Sequence, residues 1–361
     1  MLGHEQRENV MDKDTVRAFA DKVYADTAGA MTAGMAYIGT KMGLFRAMAG
    51  KGAMRIEQVA ESSGLHKRYV EEWLKGMASA GYLHYQPEAE TFLLPEEHAY
   101  LLASEGSDHF MGGLFLFTPV LLSVAPKVAH AFQHGGGVSL SELGPDGVEA
   151  LDWLNCGQYE RRFASIWLNA LPDVVERLQR GGRVLDVGCG AGRVSTAVAK
   201  AFPNAEVIGV DPDEHSVGRA RALAASAGPG PNLSFAVQTT RDLPTNEGFD
   251  LILACDCVHD FATPQATLGE MRALLKPDGA LFVMEPKAAD RLEDNKNALA
   301  VLYYGFSIFH CMTQSLAHGG PGLGTCLGPA RTEDLLRDAG FRHFERLDIR
   351  SATNLFYAAR P

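Results

Sequence analysis

Apolar residues recur at helical spacing through residues 14–48: Val16, Phe19, Ala20 and Val23 share one face, and the period runs on through Ile38, Met42 and Phe45. Glycines 29, 34, 39 and 43 inside this run leave two readings open, close helix–helix contact or a break between two helices. Residues 55–64 then form a short amphipathic helix ended by Gly64. A turn at 65–67 leads to a second helix over 68–80, with Val70, Trp73, Leu74 and Met77 on one face. Residues 82–85 and 91–94 flank a polar turn. Helix, turn, helix, hairpin is the order of a winged helix. Residues 110–125 are strongly apolar but are interrupted at Pro119 and are too short for a membrane span, which predicts a core or interface helix.

A glycine-rich connection over 135–150 and a helical run over 151–178 precede a change of texture. From Arg183 onward, strands at 183–187, 206–210, 233–237, 251–255, 280–284, 344–348 and 354–358 alternate with helices. That alternation predicts a doubly wound, mostly parallel seven-stranded α/β sheet. The last two strands are too close for a helical crossover and should form a hairpin. The division expected is an N-terminal helical, winged-helix domain over 1–150 and a sheet domain over 151–361.

Charge narrows the role of the first domain. The chain of 361 residues has a net charge of −11, and residues 1–150 hold 12 lysines and arginines against 19 acids. The second helix offers Lys67, Arg68 and Lys75 but also Glu71 and Glu72. The basic footprint of a nucleic-acid binder is missing, so dimerisation is the expectation for this domain. The six cysteines are scattered without a CxxC pair, which signals neither a structural zinc site nor a disulfide framework and fits a reducing cytoplasm. No metal is expected. Residues 1–15 are polar and lack the apolar run of a signal peptide.

The strongest local motif is the strand ending in Asp186-Val187 followed by Gly188-Cys-Gly190-Ala-Gly192. Glycines there let backbone approach a ligand at the carboxyl end of the first strand. A nicotinamide dinucleotide is disfavoured, because the third glycine is misplaced for pyrophosphate packing and Asp186 would repel a diphosphate. A cationic ligand would tolerate that carboxylate. Asp211, followed by Pro212, ends the second strand where a ribose diol is met.

With 249–253 (Phe-Asp-Leu-Ile-Leu) and 275–279 (Leu-Lys-Pro-Asp-Gly), these motifs resemble those of class I S-adenosylmethionine-dependent methyltransferases. The preceding winged helix resembles that of bacterial small-molecule methyltransferases, in which it mediates dimerisation. A closer likeness to a bacterial winged-helix subgroup rests on Asp256-Cys-Val-His259-Asp260, Glu285-Pro286, the stretch from Asp290 to Asn295, and the stretch from His310 to Leu316. The resemblance implies S-adenosylmethionine as cofactor and S-adenosylhomocysteine as product. It implies that Gly188, Gly190 and Gly192 pass under the methionine and ribose parts, that Asp211 and Pro212 meet the ribose, and that Thr239 and Thr240 meet the adenine. Cys255 and Asp256 would border the methionine part, and Tyr159 and Arg162 would reach its carboxylate. Asp242 either substitutes in adenine recognition or caps a turn.

By that resemblance His259 is either the general base, as in plant-type O-methyltransferases, since an imidazole can take a hydroxyl proton at neutral pH, or a residue that only shapes the pocket. Asp260 is the expected partner that orients it, and Glu285 a second acid/base candidate. Residues 287–329 form an insertion at the ligand edge of the sheet. Its Tyr303, Tyr304, Phe309, His310 and Met312 are candidate acceptor-pocket residues under a glycine-rich lid. The expected activity is methyl transfer to a small molecule, oxygen favoured and sulfur or nitrogen open. The rival is a ligand-sensing regulator in which the winged helix binds DNA and the second domain binds S-adenosylmethionine, since fold does not fix function. No nucleic acid or membrane partner is expected, and the chain should be a homodimer.

Overall fold

The computed structural model describes residues 11–228 and 230–361, and the chain divides into two units, Met1–Ala103 and Ser104–Pro361. Residues 1–10, which hold most of the polar stretch read above, lie outside the described residues.

The first unit opens with the helix Lys13–Lys41, capped at its start by the Asp12 side chain. Both sequence readings of its glycines hold, at different positions. Gly39 lies so close to the Phe45 and Trp73 rings that a Cβ would collide with them, whereas Gly43, at φ 71°, turns the chain into the short helix Leu44–Met48. Helices Ile56–Ser63 and Lys67–Ser79 follow, then strands β1 (His84–Gln86) and β2 (Thr91–Leu93), paired antiparallel. The apolar face of Lys67–Ser79 is buried, and the Trp73 indole N–H donates to the Met35 carbonyl at 2.8 Å. This is the winged-helix order expected, closed by the helix Glu96–Leu102.

The second unit is built on seven strands: β3 (Arg183–Val187), β4 (Glu206–Asp211), β5 (Leu233–Val237), β6 (Phe249–Cys255), β7 (Leu275–Pro286), β8 (His343–Arg346) and β9 (Asn354–Arg360). Their order is β5-β4-β3-β6-β7-β9-β8. Every neighbouring pair is parallel except those of β9, which runs antiparallel to β7 and forms the expected hairpin with β8. Alternate residues feed two cores. Val184, Leu251, Leu253, Phe282 and Phe356 face one side; Leu185, Ile252, Leu281, Val283 and Tyr357 face the other. Burial on both faces is why these strands read as continuous apolar runs.

The unit boundary falls at residue 103, not 150. Helices Gly112–Ser123, Ala125–His134 and Gly144–Gln158 belong with the sheet unit, because Phe117, Val120 and Val128 pack against Phe306, Ile308 and Phe309 of the 287–329 insertion. The Val138 amide donates to Thr313 Oγ1 at 2.8 Å, and the Leu140 amide to Gln314. No single helix among the described residues is long and apolar enough to cross a membrane.

Candidate active site

The candidate site gathers at the carboxyl ends of β3, β4, β6 and β7. After β3 the chain turns through Gly188, Gly190 and Gly192, all at positive φ, into the helix Arg193–Ala201. Open space lies where a Gly190 side chain would sit, whereas a Cβ on Gly192 would strike the Phe235 ring and Ala220. The first leaves room for a ligand over the backbone; the second lets the helix pack close to the sheet.

Asp211, at the end of β4, accepts from the Gly190 amide at 3.0 Å and from the Asp213 amide at 2.9 Å. A carboxylate offers about four lone-pair positions, so Asp211 keeps acceptor capacity for two further hydroxyls. Burial pushes its carboxyl up to about 6. Burial likewise raises Asp186 to about 7, although the Ser195 hydroxyl, donating to it at 2.5 Å, works the other way.

Asp256 follows β6 at φ 52°, a left-handed conformation rare outside glycine. Its carboxylate is held from three elements. Tyr159 donates to Oδ2 at 2.7 Å, Asn155 to the same oxygen at 3.4 Å, and Asn354, at the start of β9, to Oδ1 at 2.7 Å. Burial raises Asp256 to about 7 despite the Tyr159 bond, and raises the Tyr159 hydroxyl well above its ordinary value. These fixings over-determine a strained backbone beside the glycine turn.

His259 is buried in the turn Val258–Asp260. Its Nδ1 donates to Glu285 Oε2 at 2.6 Å, and Glu285 Oε1 accepts from the Val258 amide at 3.1 Å. On the other side, Nε2 stands 3.5 Å from Asp260 Oδ1. Burial works against charge on this imidazole, but the Glu285 and Asp260 carboxylates outweigh it and hold it well above its ordinary value. His310 Nε2 lies 4.0 Å from the other Asp260 oxygen, and burial pushes that histidine down, toward neutral.

Both units are similar to known families. Residues 178–320 match the family described as a methyltransferase domain, and residues 30–104 match that described as an Rv2258c-like winged HTH domain. The chain carries a methyltransferase domain behind a winged helix. A ubiquinone biosynthesis O-methyltransferase of Bradyrhizobium sp. (strain ORS 278) is 33% identical over 128 residues, which cover 36% of this chain and 45% of that protein. A 37.1 kDa protein in transposon TN4556 of Streptomyces fradiae is 29% identical over 174 residues, 48% of each. The chain thus spans about half the length of the curated relatives it matches. Human N-acetylserotonin methyltransferase, solved with S-adenosylmethionine, superposes with a TM-score of 0.67 at 17% identity, covering 98% of this chain and 99% of that one. Mitomycin 7-O-methyltransferase superposes at 0.66 and 18%, covering 96% and 100%. The fold is that of the class I, S-adenosylmethionine-dependent methyltransferases.

Within the methyltransferase domain, several residues singled out in the sequence stand elsewhere than expected. Glu285, not Asp260, is the group that orients His259 through Nδ1, and its own carboxylate is spent on that nitrogen and on the Val258 amide. Tyr159 reaches Asp256, and Arg162 is taken by Asp108 at 2.6 Å. Asp242 caps its turn, accepting from the Thr239 amide and hydroxyl at 3.0 and 2.9 Å, while the Thr240 hydroxyl is turned to Glu270 at 2.6 Å. Cys255 is partly buried against the apolar core, and Pro212 is exposed beside Asp211. In the insertion, Tyr303 donates to the Thr353 carbonyl, Tyr304 is exposed, Phe309 packs on Val120, and Met312 lies against Gly322 and Gly324. His310 alone of that group stands beside the His259–Asp260 turn.

Asn155 and Asn354 were not singled out by sequence reasoning. They hold Asp256 from positions about a hundred residues away, and no local spacing marks such a contact. Asp152 was also missed. It is fully buried, accepts from Arg193 Nη2 at 2.9 Å and Arg219 Nε at 2.7 Å, and ties the helix Gly144–Gln158 to the glycine-turn helix.

Proposed function

We propose that the chain is an S-adenosylmethionine-dependent methyltransferase acting on a small-molecule acceptor, with transfer to oxygen favoured over sulfur or nitrogen. The observation that carries this reading is the space over Gly190 at the end of β3, with Asp211 on the Gly190 amide and Asp256 at the end of the adjacent strand β6. The residues fit the cofactor: Asp211 has acceptor positions left for the ribose hydroxyls, and the glycine turn presents backbone. Three buried carboxyls in or beside the crevice favour a cation over a diphosphate. When bound, S-adenosylmethionine supplies a methyl group already activated by its positive sulfur.

The chain's own residues align the acceptor and deal with its proton. For a hydroxyl acceptor, that proton passes to His259 Nε2 while Glu285 on Nδ1 fixes the ring and stabilises the imidazolium that forms. The winged helix serves dimerisation rather than DNA. Lys67, Arg68 and Lys75 pair with Glu57, Glu72 and Glu71, which neutralises the cations a phosphate backbone would need. This argues against the regulator reading.

Calorimetry with S-adenosylhomocysteine tests the cofactor, followed by a methyl-transfer screen across phenols, carboxylates, amines and thiols. Binding that D211A weakens, with methylation of at least one hydroxyl compound, is the expected result. Absence of S-adenosylhomocysteine binding to the full chain would remove the reading.

A further inference from the structure

Three donors of different chemistry meet between the turn after β6 and the middle of the insertion. His259, Asp260 and Cys311 each offer one donor atom, and these atoms lie within 4.8 Å of one another. Donors around a tetrahedral ion, each about 2.0–2.3 Å from it, stand roughly 3–4 Å apart, so small side-chain movements close the set. The Nδ1 of His259 is already taken by Glu285, which leaves Nε2 toward the cluster. Asp260 Oδ1 is buried and has no hydrogen-bond partner. A carboxylate acceptor without a donor, facing an imidazole nitrogen 3.5 Å away, is an arrangement that a cation completes.

A carboxylate behind the imidazole is also how metal-ligating histidines are held, because it fixes the tautomer and raises ligand basicity. Glu285 occupies that position, and the Val258 amide fixes Glu285 in turn. The donors are one nitrogen, one carboxylate oxygen and one thiol sulfur. That mixed set suits a borderline ion of the zinc class rather than calcium or magnesium. Asp260 keeps 23% of its side chain exposed and gives an ion a way in, whereas His259 and Cys311 are buried.

We propose that His259, Asp260 and Cys311 bind a zinc-class divalent ion, with Glu285 as the carboxylate that orients the histidine and the fourth position left to water. The Cys311 thiol and His259 Nε2 each give up a proton to solvent as the sulfur–metal and nitrogen–metal bonds form, and nothing is oxidised or reduced. Zn²⁺ takes the Nε2 electron pair. The consequence for catalysis rests on the methyl-transfer reading: the ion-loaded protein cannot accept a hydroxyl proton at His259, so the loaded and base-competent states exclude one another.

The test uses the metal-free full chain titrated with Co²⁺. The expected result is one ion per chain, with a thiolate-to-cobalt charge-transfer band that Zn²⁺ abolishes by displacement. C311S should lose the band, D260N should weaken binding, and E285Q should lower Zn²⁺ affinity roughly 10–100-fold. S-adenosylhomocysteine calorimetry on each variant reports whether the fold survives. Wild-type protein without the thiolate band, or binding unchanged in both C311S and D260N, overturns the site. Cofactor binding without the band sinks the metal site alone. The band without cofactor binding upholds the metal site and sinks the methyl-transfer reading.

Discussion

Asp186, Asp211 and Asp256 share a property that governs what the crevice accepts. Burial raises them to about 7, 6 and 7, so near pH 6.5 each is partly protonated in the free protein. Such raised carboxyls favour the fold at low pH, and that contribution is lost progressively as pH rises from the unfolded carboxyl value of about 4 to the folded values of 6–7. A cationic ligand stabilises the ionised forms and lowers these values. Binding of S-adenosylmethionine near pH 6.5 should therefore release protons. Calorimetry in two buffers of different ionisation enthalpy measures this, and net proton uptake would contradict a cation beside these acids. His259 works in the opposite sense. Its imidazole is held above the ordinary value of about 6.5, so it is charged and unable to act as a base until pH rises past that point. With a hydroxyl acceptor, kcat/KM should climb with pH along a limb lying above 6.5. E285Q should move that limb down, and H259A should cost roughly 10²–10⁴-fold in kcat while leaving cofactor affinity intact. A limb that stays put in E285Q would detach Glu285 from the base.

The helix Gly144–Gln158 links the glycine turn to Asp256. One end of that link is Asp152, fully buried between Arg193 and Arg219; the other is Asn155 and Tyr159 on Asp256. D152N leaves two guanidinium groups beside a neutral amide. Breaking one side of a buried ion network costs about 3–5 kcal/mol. The variant should melt roughly 6–20 °C lower, given about 2–4 °C per kcal/mol for a unit of this size. Its affinity for S-adenosylhomocysteine should fall as Asp256 loses its fixings; an unchanged melting curve would mean that solvent already screens the network. Elements of this kind show the limits of a single sequence. The inner strands were legible because burial on both faces writes unbroken apolar runs, and the glycine turn and Asp211 because they follow their strands directly. The helices over 112–134 were legible as core but not as whose core, since a stretch apolar on every side carries no direction. Asn155, Asn354 and Asp152 act across long separations, and the exchange of roles between Glu285 and Asp260 depends on which way each side chain turns at a strand end.

Among the described residues, an apolar seam along Lys13–Lys41 lies exposed. Val16, Phe19, Val23, Tyr24, Met31 and Ile38 are exposed along Lys13–Lys41, while Ala36, Gly39 and Thr40 near its end are buried. Val16 and Val23 are seven residues apart, as are Tyr24, Met31 and Ile38, so each set returns to one face every two turns. A helix of 29 residues with such a seam matches the requirement for pairing with a second copy, whose identical stripe supplies the complementary surface. Sedimentation equilibrium should report a dimer for the wild-type chain. The double variant F19D/V23D places two charges in the seam and should sediment as a monomer. It should still bind S-adenosylhomocysteine, since every residue assigned to that ligand lies within Ser104–Pro361. A wild-type monomer at micromolar concentration, or a dimer indifferent to both aspartates, would assign the exposed stripe some other purpose.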